Sequence, residues 1–180
     1  MPLNSSISTA IASPTSISEL LQGLPDGDAG AVFSDCRHYR YLLWRRWQAE
    51  GSTVLFIGLN PSMADEQSND PTIRRCLGFA RSWGFGAMAV ANLFAYCATH
   101  PKDLKAATDP VGRENDAWLD HMAAGAERVV ACWGNHGVYQ NRADEVGTRL
   151  DDLYCIQLNG SGQPAHPLYL RSDLKPFPWL

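Results

Sequence analysis

Four short apolar runs, Thr53–Ile57, Ala87–Phe94, Arg128–Trp133 and Leu153–Leu158, alternate with segments of helical spacing, and nothing else in the chain constrains its fold as strongly. Runs this short, with little polar alternation, predict strands buried on both faces. Parallel neighbours of that kind need a crossover between them, and the intervening helical segments supply it. The order strand, helix, strand, helix, strand, helix, strand therefore predicts an α/β protein, a three-layer α/β/α sandwich with a central parallel sheet of about four strands. In such a sheet the site is expected beyond the C-terminal ends of the strands.

The helices are marked at both ends. Asp70-Pro71-Thr72 offers a capping carboxylate and an early proline, Ile73, Cys76, Leu77 and Ala80 keep helical spacing, and Trp83-Gly84 closes the segment. Glu114–Ala124 places Trp118, Leu119 and Met122 on one side, and Ala143–Leu150 reads as a third helix. The aromatic-rich stretch Tyr39–Trp47 predicts one added N-terminal strand, joined to the first buried strand by the Ala49-Glu50-Gly51-Ser52 turn. The stretch through Pro101 and Pro110 reads as a loop. Residues 1–30 are dominated by Ser, Thr, Ala, Pro and Gly and read as a weakly structured extension, leaving residues 31–180 as a single domain.

Composition narrows the class further. With 45% hydrophobic and 19% charged residues a folded core can extend over most of the length, yet no apolar run approaches the roughly 20 residues of a membrane helix. The first basic residue is Arg37, so a secretory signal is not expected. Five cysteines without a CxxC pair fit reduced thiols and a cytoplasmic location better than disulfides or a zinc ribbon. A net charge of -4 argues against a broad basic face that coats nucleic acid. No cofactor fingerprint is present: Gly84-Phe85-Gly86 lacks the third glycine of a dinucleotide loop and precedes a strand. Asp65, Glu66 and Asp70 are the candidates for a metal, but capping accounts for Asp70 and a solvated loop for the other two, so no metal is assigned.

The polar residues of interest follow the predicted strands: Gly58, Asn60, Pro61 and Ser62 after the first, Asn92, Phe94 and Tyr96 at the end of the second, His136 after the third and His166 after the fourth. Each has a structural reading beside the functional one. Gly58 and Pro61 suit a tight turn, His136 a solvated loop, and His166 a ring aimed by Pro167. Asn92 lies within an apolar run, where its amide must either tie loops together or read a ligand's edge.

Gly58-Leu59-Asn60-Pro61-Ser62-Met63-Ala64-Asp65, Asn69 to Cys76, Asn92-Leu93-Phe94-Ala95-Tyr96, Asp109-Pro110, Asn115-Asp116, Trp133-Gly134 and His166 to Leu170 together resemble the DUF1643 family, a bacterial family of unknown function, over residues 35–175. More distantly the same motifs resemble the uracil-DNA glycosylase superfamily, with its G-x-[DN]-P loop, strand-ending Asn, Trp-Gly and His-Pro loop. That resemblance implies a glycosylase-like α/β fold in which Asn60 positions a water, Asn92 reads a base edge and His166 stabilises the departing base. Asn60 stands where the most active branch has a water-activating Asp, and Leu168-Tyr169-Leu170 replaces the Ser-rich wedge.

The expected function is therefore binding of a nucleobase, nucleotide or nucleic acid, with Asn60 and His166 as candidate catalytic residues for N-glycosidic hydrolysis. Gly58, Pro61, Ser62, Asn92, Phe94, Tyr96 and His136 are the candidate ligand-binding residues. The alternatives are a non-catalytic binding module on the same fold, or a metal-dependent enzyme acting on phosphates through Asp65, Glu66 and Asp70.

Overall fold

Strand β3 (Thr53–Gly58) sets the register of the sheet. It pairs in parallel with β4 (Ala87–Asn92) on one side and β5 (Arg128–Ala131) on the other. A further parallel strand, β6 (Leu153–Cys155), lies beyond β5. The central apolar runs are thus adjacent and parallel, as their alternation predicts. The computed structural model describes residues 28–62 and 64–180.

The sheet is larger than expected and mixed. Among the described residues it holds seven strands, with β2 (Arg40–Arg46) antiparallel to β4, β1 (Ala29–Phe33) antiparallel to β2, and β7 (Phe177–Pro178) antiparallel to β6. The added strand between Tyr39 and Trp47 is β2, but it is one arm of a hairpin. β1 begins inside the stretch read as an extension, and the rest of that stretch, residues 1–27, lies outside the described residues. The sequence does not predict the two extra strands, because a five-residue edge strand containing glycine and a two-residue strand in a proline-rich tail carry little periodicity. β6 stops at Cys155 rather than Leu158, and the chain then forms a loop held by the Leu158–Pro164 bridge.

Side-chain alternation on β3 explains the layers. Val54 and Phe56 enter one core with Ile73, Cys76, Phe79 and Ala80 of α1 (Pro71–Ser82). Leu55 and Ile57 enter the other with Trp118, Leu119 and Met122 of α3 (Asn115–Gly125) and with Ala143 and Val146 of α4 (Arg142–Arg149). A short helix, α2 (Pro101–Ala106), starts at a proline within the stretch read as loop and buries Leu104 in this second core. The architecture is α/β, with four α-helices and a seven-stranded mixed sheet among the described residues.

The link from β2 to β3 packs directly on the start of β4. The Gly86 carbonyl accepts from the Trp47 and Gln48 amides, and a Cβ at Gly86 would stand 2.4 Å from the Gly51 Cα. That approach between two backbones needs glycine at both positions. Gly86→Ala is therefore expected to cost about 1–3 kcal/mol through overpacking. Gly78→Ala, on the exposed side of α1 with no atom near the new methyl, should instead stabilise the protein by about 0.5–1 kcal/mol. Denaturant midpoints at constant m-value check the pair, and equal effects would contradict the packing explanation.

Candidate functional site

All four parallel strands end on one rim, and the loops that leave them enclose a cavity of about 600 Å³. That volume lies in the range of small-molecule sites. Gly58, Asn60 and Ser62 come from the loop after β3, Asn92 from the end of β4, and Cys132 to His136 from the segment after β5. Gln157, Asn159, Ala165 and His166 follow β6, and the first turn of α1 adds Asp70, Thr72 and Ile73. The structure therefore brings Gly58, Asn60, Ser62, Asn92, His136 and His166 to one cavity from distant parts of the chain.

Asn92 occupies the floor at the last position of β4. It is buried, and its Oδ1 has no hydrogen-bond partner in the protein. Its Nδ2 lies 2.8 Å from where a Cβ of Gly58 would be, so only glycine opposite it leaves the amide in place. The bend after Asn92 is held from behind: Asn115 Nδ2 donates to the carbonyls of Asn92 and Leu93 at 2.9 and 3.1 Å, and Arg142 Nε donates to Leu93. The backbone at Asn92 is thus fixed, and an unpaired buried amide oxygen costs about 1–3 kcal/mol.

His166 precedes a short 3-10 turn, Pro167–Tyr169, and its Nδ1 accepts the Leu168 amide at 3.3 Å. That contact assigns the neutral tautomer, with the proton on Nε2. Burial pushes the imidazole pKa below its ordinary value, and the Asp70 carboxylate offsets this only in part. The loop is anchored to α1 by Arg75 Nε, which donates to the Pro167 carbonyl at 3.3 Å. At neutral pH His166 is thus a positioned hydrogen-bond donor.

Asn60 is committed differently from the sequence expectation. Its Nδ2 donates to the Ala98 carbonyl at 2.7 Å and to Pro61 at 3.0 Å, stapling the loop after β3 to the chain beyond β4. Only its Oδ1 remains to orient a water. Pro61, Phe94 and Tyr96 lie outside the cavity lining. The strand ends at Asn92 and the chain turns back, so fully buried Phe94 packs against Tyr139, and Tyr96 stands edge-on to Tyr39. Pro61 is buried, and its carbonyl accepts the Ala98 amide.

Arg40 is the lining residue that sequence reasoning missed. Because β2 runs antiparallel to β4, its first residue sits at the same rim as the ends of the parallel strands. Asp70 also lines the cavity while its Oδ1 accepts the Ile73 amide at 2.8 Å, capping α1. Asp65 instead accepts from the Gln67 and Ser68 amides, and Glu66 pairs with exposed Arg37. The three carboxylates considered for a metal are therefore occupied separately, and among the described residues no group of three or more His, Cys, Asp and Glu could hold an ion. The described cysteines are all free. No described helix is long and apolar enough to cross a membrane.

The lowered His166 pKa fixes the sign of one pH effect. Above the unfolded value near 6.5 both states are neutral and the residue contributes no pH dependence. As pH falls below it the unfolded chain takes up a proton that the folded protein resists, so stability falls. The stability of wild type relative to His166→Gln, measured across pH 4.5 to 8, should therefore be flat above about pH 7 and fall below about pH 6.5. A flat difference throughout would show that the ring is not desolvated.

No curated protein and no solved structure matches this chain. One family model does, covering residues 40–168, which takes in both Arg40 and His166 of the cavity lining. The chain belongs to DUF1643, a family described as proteins of unknown function.

Proposed function

We propose that the cavity binds a nucleobase, presented by a nucleoside, nucleotide or nucleic acid, and that Asn92 reads its polar edge. One observation carries this reading: a buried carboxamide with an unpartnered Oδ1, on a backbone held by Asn115 and Arg142, at the strand end of a cavity of this volume. A planar ring with adjacent donor and acceptor groups completes such an amide, as Asn and Gln do when they hold an adenine edge. The neutral His166 supports it from the far loop, because an Nε2–H donor suits a ring carbonyl or an anionic ring nitrogen. The motif order resembles the uracil-DNA glycosylase superfamily and supports the same ligand class.

Binding is favoured over rapid N-glycosidic hydrolysis. Hydrolysis needs a group that accepts a proton from water, and a carboxamide at Asn60 cannot. The Asn60 Nδ2 is spent on two backbone carbonyls, so the residue serves first as a loop staple. A missing general base costs about 10²–10⁴-fold, so excision of uracil from DNA should be absent or very slow. Turnover at ordinary enzymatic rates would overturn this preference.

Thermal shift and calorimetry against bases, nucleosides, nucleotides and short oligonucleotides test the proposal. A cognate ligand at a hundredfold excess over Kd stabilises by about 2.7 kcal/mol, or roughly 5–10 °C for a chain of this length. Asn92→Leu should leave the free protein at least as stable as wild type, because it removes an orphaned acceptor, while abolishing that shift. His166→Ala should reduce the shift more than His136→Ala does. Loss of free-protein stability in Asn92→Leu with the ligand shift intact would make Asn92 a structural residue and sink the reading.

A further inference from the structure

Arg40 is 2% exposed and lines the cavity. Its Nη1 donates to the Ala64 carbonyl at 2.7 Å, its buried Nε has no partner, and no carboxylate of a described residue forms an ion pair with it. Burial disfavours its charge, which guanidinium nevertheless keeps. Burying a cation with no directly paired carboxylate among the described residues is costly. Asp70, the one carboxylate in the lining, has an oxygen committed to capping α1 and acts on Arg40 only through space. The first turn of α1 also lines the cavity through Thr72 and Ile73.

We infer that the cavity takes a free mononucleotide, with its single phosphate at the Arg40 guanidinium and its base at Asn92. The inference rests on the base-binding reading above and adds the anion. A single phosphate fits because Arg40 is the lone Lys or Arg among the described lining residues and Asp70 opposes further negative charge. A polynucleotide would find no basic track at the mouth, where Asn135, Gln157 and Tyr169 are uncharged.

Calorimetry on the full chain decides it, with four ribonucleosides, their 5′-monophosphates, inorganic phosphate and a six-nucleotide single strand as probes. At least one monophosphate should bind tenfold or more tightly than its nucleoside, with the advantage weakening as salt rises, and Arg40→Gln should narrow that gap to within threefold. The oligonucleotide should bind no more tightly than the monophosphate. Equal affinity for nucleoside and monophosphate would overturn the phosphate site and leave base binding standing. Phosphate binding lost in Arg40→Gln, with no nucleoside or nucleotide bound, would support the anion site and overturn the base reading. Tighter binding of the oligonucleotide would overturn the commitment to a free mononucleotide, and silence from every probe would overturn both readings. If Arg40→Gln fails to fold, the wild-type comparison and its salt dependence still decide.

Discussion

The rest of the molecule depends on β3 having a dry layer on each side. Val54 and Phe56 are sealed by α1, and Leu55 and Ile57 by α3 and α4, so every backbone polar group of the strand must be satisfied within the sheet. Parallel partners on both edges, β4 and β5, meet that requirement, and each must be reached through a crossover. Parallel direction in turn sends every connecting loop out at the same end. The cavity is therefore a by-product of core burial: four loops that share no sequence proximity are delivered to one rim because the hydrophobic pattern forbids any other exit.

Against this well-satisfied sheet, the cavity floor violates the same rule. Asn92 Oδ1 and Arg40 Nε are buried and unpaired, although the surrounding backbone is held by several hydrogen bonds. Asn115 and Arg142 do not touch the cavity, yet both fix the bend after β4, and Arg142 is itself held by Asp116 and Glu145. Polar groups left short of partners, on a backbone that others keep rigid, are what a preorganised recognition site looks like in its free form.

The parallel centre of the fold was legible because strands buried on both faces write contiguous apolar runs, as in Val54–Ile57 and Val129–Ala131. β1 and β7 were not, since edge strands of so few residues interrupted by glycine or proline leave no period to detect. α2 was hidden for a related reason: six residues give less than two turns of spacing. At the site, Asn92 and His166 stood out as polar residues closing apolar segments. Phe94 and Tyr96 were drawn in by proximity in sequence, but the turn after Asn92 points them elsewhere. Arg40 could not have been found from periodicity, because alternation shows which face a residue occupies and never which way its strand runs. Only the antiparallel pairing of β2 with β4 carries Arg40 to the rim.

The division of labour between Asn60 and Asp70 bears on what chemistry such a site could support. Asn60 holds the position at which the resemblance to glycosylases places water activation, yet its amide nitrogen is tied to Ala98 and Pro61. Asp70 is a carboxylate in the same cavity, close enough for its charge to act on both Arg40 and His166. Its capping bond to the Ile73 amide nevertheless ties one oxygen to the helix, which leaves only the other free to face a ligand. With one oxygen of its carboxylate spent on a helix cap and its loop amide nitrogen spent on a staple, the cavity offers few free groups for proton transfer, which is why the proposed function is binding before hydrolysis.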